Sequence, residues 1–594
     1  MSELPPLAEP ADESAWRALV EKALKGAPWR KLITRTADGI EINPLYREAD
    51  FATEGDIAGF PGAAPFVRGA RASGPWLVRQ AYDHPDPTQT NRDILADLQG
   101  GVGAVELVID PAGANGVAIK DARDLDTALA DVILEAAPVS LDGGSHAPAI
   151  ATLLRHKLKG VAAPGTAFNL DPLHASMDAL QEAVRAWRDL PAATILRVDA
   201  RPAHEAGGSE AQEIAYALSA GILQLRLLQA QGLNADQAAG ALRFAVSVGP
   251  DVLVEAAKLR ALRLCWARVM EASGAAPEKR AAHIHAFTSR RMLTRYDAWT
   301  NILRITSAAF AAGVGGADDV TTLPFTDALG IATPFARRIA RNTQHVLLDE
   351  SHLGHVLDPA GGAWFVEELT HQLAQTGWAK MQTIEAQGGI EAALKSGAIQ
   401  KDIGETRTAR AKAFATRKET ITGVTDFPLL GAKQPEVAAL RPVPLETISG
   451  LAPTRWAEPF EALRDKAEAA APRPAVFFAN LGALTEFSPR SNFARNLFGV
   501  GGVGAIEPET EYVSGNALVA AYKQSGAEVA VICGTDARYG EDMPTIATAL
   551  RDAGCKHIVL AGEARGTDLI QQFIWSGCDV IEALNTLQTA LGIA

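Results

Sequence analysis

A chain of 594 residues is too long for one hydrophobic core and implies two or three domains. Its 47% hydrophobic and 21% charged residues are those of an ordinary globular protein, and a formal charge of −14 argues against a nucleic-acid binder, which carries a basic face. Four cysteines without a CxxC pair argue against a disulfide framework and a thiolate metal site. The acidic, proline-rich start MSELPPLAEPADESAW is unlike a signal peptide, and no stretch is apolar for long enough to span a membrane, so a soluble cytoplasmic protein is expected.

Residues 1–45 begin as a polar stretch and then turn periodic. From Glu13 to Gly26, Trp16, Leu19, Val20, Ala23 and Leu24 fall three and four apart. That spacing predicts a helical arm with one apolar stripe, able to pack on its own domain or on another chain. From Pro75 a β-α rhythm sets in. Short β-rich runs occur at Trp76–Ala81, Ala104–Asp110, Pro138–Leu141, Ala167–Leu170, Ala193–Asp199, Arg243–Val248, His283–Thr288 and Val320–Phe325. Helix-period segments lie between them: Asn91–Leu98, Asp124–Leu134, Met177–Trp187, Ala211–Ala230 and Val252–Met270. Eight strands alternating with helices over roughly 250 residues predict a (β/α)8 TIM barrel. With the helices that follow it, this domain is expected over 46–405.

Residues 406–472 are charged and then rich in Pro, Ala and Thr, without clear periodicity, which predicts a wrapping linker. A second β-α series fills 473–594, with strands expected at Ala475–Ala479, Val503–Ile506, Val529–Cys533, His557–Ala561 and Asp579–Glu582. Helices are expected at Asn516–Gln524 and Met543–Asp552. Five such strands in about 120 residues fit a flavodoxin-like doubly wound domain.

Particular residues add a family. PFVRG (Pro65–Gly69), PWLVRQ (Pro75–Gln80), HEAGGSEAQEIAYALSAG (His204–Gly221), EAAKLRALRLCWA (Glu255–Ala267), RIARNTQHVLLDES (Arg338–Ser351) and LDPAGGAWFVEELTHQLA (Leu357–Ala374) resemble the methylmalonyl-CoA mutase family across the whole barrel. The resemblance implies an adenosylcobalamin-dependent radical rearrangement of (R)-methylmalonyl-CoA and succinyl-CoA inside a closed barrel. Such chemistry needs water excluded, a donor on the thioester carbonyl and a histidine on cobalt.

At the positions that meet those needs in active members, this chain differs. Their Gly-Tyr-His falls on Ala200, Arg201 and Pro202, and proline has neither a donor ring nor a backbone N–H. The neighbouring His204 is two residues too late to substitute and is expected to be solvated. The adenosyl-wedging tyrosine after Arg79-Gln80 falls on Ala81, while Tyr82 would face the other side of the strand. The CoA-threading insert is reduced to Ala70-Arg71-Ala72-Ser73-Gly74, and a CoA-gripping polar pair falls on Ala241 and Arg243. In the last domain the cobalamin motif Asp-x-His-x-x-Gly falls on Leu484, Glu486 and Pro489, and the later double glycine on Ala561-Gly562. A carboxylate replaces imidazole poorly on cobalt.

The resemblance is therefore to the family's shorter, non-catalytic small subunit. It implies a homologous large subunit as partner in a heterodimer, with adenosylcobalamin on that partner and none on this chain, and it admits a G-protein chaperone as a further partner. Two other readings compete. His283-Ile-His285 places two imidazoles on one face of a strand, as in metal-dependent TIM-barrel hydrolases, although such pairs usually lie on the first strand. A free-standing acyl-CoA-binding protein is the other. Gly499-Val-Gly501-Gly-Val-Gly504 spells GxGxxG but runs from helix to strand, the reverse of the dinucleotide order. His352 and His355 beside an acidic helix end are expected to be solvated or capping, and Asp110, Asp171 and Asp199 near strand ends to cap helices.

Overall fold

Runs of β-branched and apolar residues buried on both faces are what a parallel sheet covered by helices requires. In this computed structural model, residues 12–47, 58–190, 192–441, 447–507, 514–563 and 567–593 are described. A small antiparallel hairpin, β1 (Thr34–Arg35) and β2 (Glu41–Ile42), comes first. The barrel strands are β3 (Leu77–Tyr82), β4 (Ala104–Val108), β5 (Val139–Asp142), β6 (Ala167–Leu170), β7 (Thr194–Asp199), β8 (Leu242–Val248), β9 (Ile284–Thr288) and β10 (Asp319–Thr321). They close in chain order with β10 paired back onto β3, and all pairings are parallel. The eighth expected run pairs only through Thr321, and Leu323 and Phe325 belong to the loop beyond it.

The covering helices start where capping chemistry allows. Glu210–Ala230 opens with a capping box in which Ser209 Oγ accepts from the Gln212 N–H and the Gln212 side chain accepts from the Ser209 N–H. This helix packs against Val252–Ala272 and Trp364–Ala386. Gly377 permits the close approach, since a Cβ there would lie 2.6 Å from Ile214. The helix expected at Asp124–Leu134 is shorter and earlier, Ala122–Ala128, because Asp121 supplies the cap and Asp131 turns at positive φ.

The second sheet has β11 (Ala475–Asn480), β12 (Gly504–Ile506), β13 (Val529–Cys533), β14 (His557–Ala561) and β15 (Gln572–Ile574). Its order, β12-β11-β13-β14-β15, is doubly wound and reverses direction between β11 and β13. Alternate residues line its two faces, Val476, Phe478 and Val531 on one and Phe477, Ala479 and Ile532 on the other. The strand expected at Asp579–Glu582 is instead the start of the helix Val580–Ala590. Asp579 accepts the N–H groups of Ile581 and Glu582 there, and the last strand lies earlier.

Residues 406–472 begin inside the helix Ala398–Ala415 and close with the helix Glu458–Ala469. Between those helices the chain reaches the end of the barrel where the strands finish. Ile331 N–H bonds the Ala439 carbonyl at 2.8 Å, and Arg441 pairs with Asp83 at 2.6 Å and Asp327 at 2.9 Å. Farther along, Thr454 N–H reaches the Glu205 carbonyl and Trp456 N–H the Arg291 carbonyl, each at 2.9 Å.

Candidate functional site

TIM barrels usually fill their axis with branched apolar side chains in layers. This axis is filled with charges. Near the start of the strands, Arg79 and Arg243 both pair with Asp319, the former at 3.2 Å, and Arg79 also donates to Ser140 and to the Gly165 carbonyl. In the middle, Arg197 pairs with Glu106 at 3.2 Å, and His285 Nε2 meets Thr321 Oγ1 at 2.7 Å. Above them Arg197 reaches Asp142 at 2.6 Å and Asp199 at 3.1 Å. Arg201 binds the same two carboxylates at 2.9 and 2.5 Å, and its guanidinium lies 4.3 Å above Phe287. Four guanidiniums thus face four carboxylates in one connected set.

The electrostatics follow from that balance. Burial would raise Asp142, Asp199 and Asp319, but Arg197 and Arg201 hold the first two below the ordinary carboxylate range, and Arg243 and Arg79 do so for the third. His285 is held neutral, first by burial and then by the arginines around it. Depressed carboxyls contribute stability that is complete above the unfolded pKa of about 3.9 and is lost as pH falls below it. Asp171, raised to about 6, and Glu255, raised to about 7, both mainly by burial, act in the opposite sense and add stability as pH falls through those values. Buried His285, held neutral, contributes stability that is lost as pH falls below its unfolded value of about 6.5 and so opposes that gain. Thermal midpoints are therefore expected to fall steeply below about pH 4, where the depressed carboxyls are also lost; a midpoint unchanged at pH 3 would remove the network from the account.

At the mouth, Arg201 and Pro202 open the short helix Arg201–Glu205. His204, expected to be solvated, is instead fully buried because this helix turns it inward. Its Nδ1 meets Glu213 at 3.0 Å and its Nε2 meets Ser289 Oγ at 2.9 Å, and burial, then Arg291 and Lys258, keep it neutral. Ser289, His204 and Glu213 stand in the order of nucleophile, base and orienting acid. All three are buried, however, and the Arg290 and Arg291 N–H groups that could hold an oxyanion are taken by the Glu205 carboxylate at 3.2 and 2.9 Å. The arrangement is a packed network. Tyr82 points outward, buried beside Asp97 and Arg337 of the surrounding helices, and Ala81 is half-buried. At the opposite end of the barrel, Arg71 ties the short Ala70–Gly74 segment to the Ala317 carbonyl at 3.0 Å and Asp318 at 3.5 Å. Arg263 holds the Phe66 and Val67 carbonyls at 2.9 and 3.1 Å.

The other sequence candidates do not converge. His283 is exposed ahead of β9 whereas His285 is enclosed in the barrel, and among the described residues no group of three or more His, Cys, Asp or Glu could hold a metal. Asp110 and Asp171 organise turns rather than helix starts: Asp110 accepts the N–H groups of Ala112, Ala114 and Asn115, and Asp171 that of Leu173. Asp199 accepts the Arg201 N–H but belongs chiefly to the ion network. His352 and His355 are exposed, with rings stacked 4.6 Å apart. The Gly499–Gly504 run ends the helix Leu484–Val500 and enters β12.

In doubly wound sheets ligands bind at the carboxyl ends of the strands, beside the reversal. Here that crevice is filled from within. Tyr539 is 1% exposed; its hydroxyl accepts the Gly534 N–H at 3.1 Å and donates to the Ala561 carbonyl at 2.8 Å. A Cβ at Gly562 would lie 3.2 Å from its ring. Arg490 lies 4.7 Å above the same ring and bonds the Gly534 carbonyl at 2.7 Å and Asp536 at 2.8 Å. Glu486 receives the Ala483 N–H at 2.8 Å and Arg538 at 2.9 Å, Leu484 is exposed, and Pro489 is inside the helix.

A family model described as methylmalonyl-CoA mutase matches residues 35–447. The methylmalonyl-CoA mutase small subunit of Streptomyces virginiae is 41% identical, with 98% of this chain and 97% of the relative covered. That of Propionibacterium freudenreichii subsp. shermanii is 35% identical over 98% and 95%. A Cereibacter sphaeroides protein named simply methylmalonyl-CoA mutase is 33% identical over 70% of this chain and 64% of its own length. The chain belongs to the small subunits of the methylmalonyl-CoA mutase family. The similarity to small subunits thus runs end to end and includes the second sheet.

For a small subunit of a cobalamin-dependent family, the fit of the cofactor can be tested on the crevice. Cobalt needs a soft or imidazole donor, and the side chains there are a paired carboxylate, guanidiniums and a phenol. His557 lies at the opposite end of β14, with its Nε2 3.1 Å from Gln572 Oε1. The residues present do not fit cobalamin.

Proposed function

We propose that this chain is the non-catalytic half of a heterodimer. In this reading a homologous large subunit carries adenosylcobalamin and interconverts (R)-methylmalonyl-CoA and succinyl-CoA by radical rearrangement, in the cytoplasm, and a G-protein chaperone is a further partner. The chain itself takes neither cobalamin nor a CoA ester. One observation carries the reading: the barrel axis through which an acyl-CoA would thread is occupied by eight interlocked charges, with Arg201 and Pro202 at the mouth. Separating those pairs to admit a thioester would leave buried charges uncompensated, which is costlier than any uniform binding gain at that site. Four free, buried cysteines agree with a reducing compartment.

The test is to purify the chain alone and with a homologous large subunit and to titrate each with adenosylcobalamin and with a succinyl-CoA analogue. The chain alone is expected to leave the cofactor spectrum unchanged and to retain no CoA ester in equilibrium dialysis, whereas the pair binds both. Stoichiometric binding of either by the lone chain would overturn the reading. Pro202→His is expected to yield no turnover, because a returned imidazole would face Arg201 and a filled axis. Measurable isomerisation by that variant without a partner would show the defect to be misplaced.

A further inference from the structure

Between the barrel, the linker and the helix that precedes the second sheet lies a cavity of about 290 Å3, close to the lower bound of about 300 Å3 for small-ligand pockets. One wall is the segment after β9 that carries Arg295, Tyr296 and Trp299. A second is the linker at residues 431–434, and the third is the helix Glu458–Ala469 at Arg464 and Glu468. The walls are fastened together. Arg295 forks to Glu461 at 3.0 Å and Asp465 at 2.5 Å, Tyr296 Oη donates to Asp465 at 2.7 Å, and Trp299 Nε1 reaches the Lys433 carbonyl at 3.4 Å. None of these groups belongs to the ion network of the axis or to the crevice of the second sheet.

Donors are left over on this lining. Arg464 is only 4% exposed. Its Nε meets Glu468 at 3.3 Å and its Nη2 the Leu429 carbonyl at 2.7 Å, and its Nη1 has no acceptor among the described residues. Arg295 Nη1 and Lys433 Nζ also lack one there, as do the backbone N–H groups of Ala432, Lys433 and Gln434. An almost wholly buried guanidinium with one idle arm is a place prepared for an acceptor, since buried donors are nearly always satisfied.

The sign of the site runs against that of the chain, which is −14. Arg295, Arg464 and Lys433 on the lining face Asp297 and Glu468, and behind them Arg455 and Arg473 offset Glu461 and Asp465. One positive charge is left over, which a monoanion matches; a second negative charge on the ligand would meet the two lining carboxylates without a counter-ion. The rings set the body of the ligand. Trp299 stacks on Phe325 at 5.0 Å yet remains 45% exposed, and the Tyr296 ring lies 4.1 Å below the Arg464 guanidinium. A flat π-system against the indole, with its charged end at Arg464, satisfies both features.

We propose that this cavity is a binding site for a small planar organic monoanion, an aryl carboxylate by chemical class, with its ring on Trp299 and its carboxylate on Arg464 Nη1 and Lys433. Because the walls come from three segments, a bound ligand holds the barrel, the linker and the helix before the second sheet together and stabilises their common packing by mass action. The site is independent of the large-subunit reading.

The experiment is isothermal titration of the full chain with sodium benzoate, beside acetate, benzyl alcohol and inorganic phosphate, with hydrogen exchange of the benzoate-saturated protein. Benzoate is expected to bind one to one. Acetate, which lacks the ring, and benzyl alcohol, which lacks the charge, should each bind about tenfold or more weakly, the equivalent of one lost stacking contact or charged hydrogen bond. Trp299→Ala should weaken benzoate binding by about three- to tenfold, and Lys433→Gln should weaken it several-fold at low ionic strength and less at high. Both positions are exposed, so both variants should keep the wild-type circular dichroism. Benzoate should also slow amide exchange in segments 295–299, 431–434 and 460–468 together. Absence of binding at millimolar benzoate overturns the proposal, as does benzyl alcohol or phosphate binding as tightly as benzoate, or undiminished affinity in both variants.

Discussion

Replacing Arg197 with methionine is expected to remove about 3–5 kcal/mol of barrel stability, the cost of breaking a buried ion pair by deleting one partner. Arg197 touches Glu106, Asp142 and Asp199 at once, and Glu106 is wholly buried with no other guanidinium bonded to it among the described residues. The variant leaves Glu106 charged without a counter-ion, or protonated at the expense of its pairing. Arg197→Lys should lie between the two, since a single ammonium keeps the charge but cannot fork to three carboxylates. A protein with two sheets need not unfold in one step. Hydrogen exchange of the β4, β5 and β7 amides against those of β13 and β14 would locate the loss. Protection of the barrel strands within about 1 kcal/mol of wild type would show that the charges are solvated and the axis open.

The second large effect is expected in the other domain. Tyr539→Ala should destabilise it by about 3–5 kcal/mol, as truncation of a buried aromatic does. The ring fills the space against Gly562 and under Arg490, and the hydroxyl joins Gly534 to Ala561 across neighbouring strand ends. Tyr539→Phe should cost only about 1–3 kcal/mol, the price of leaving the Gly534 N–H without its acceptor. Neither variant should acquire cobalamin, because emptying the crevice supplies no imidazole. Cofactor binding by Tyr539→Ala with displacement of the lower axial base would contradict the fit argument, and near-wild-type stability would contradict the packing.

Strand periodicity made the barrel legible. Buried parallel strands read as unbroken apolar runs, so Ala167–Leu170 could be located to the residue. The failures are of one kind. Val580 and Ile581 look like a strand by composition, and only Asp579, a capping residue preceding a short apolar run, marked a helix. His204, expected to be solvated, is buried because Arg201 and Pro202 open a short helix at that point. The ion network was written into the strands: Arg79, Glu106, Arg197, Arg243 and Asp319 interrupt otherwise apolar runs. A charge inside a doubly covered strand must find a partner, yet nothing in one dimension says which strands face one another. Pairing across the axis is a property of closure, and Tyr539 in its crevice likewise depends on the order in which the sheet is assembled.

The four-against-four balance also bears on descent. A barrel of this kind cannot reopen its axis by changing Arg197 or Asp319 alone. Removing Arg197 strands Glu106, and removing Asp319 strands Arg79 and Arg243 together, so those first steps backward lower stability before any site is regained. Reversal would require several exchanges together, or a chain stabilised beforehand. At those two positions the filled axis acts as a ratchet: each must change together with its partners.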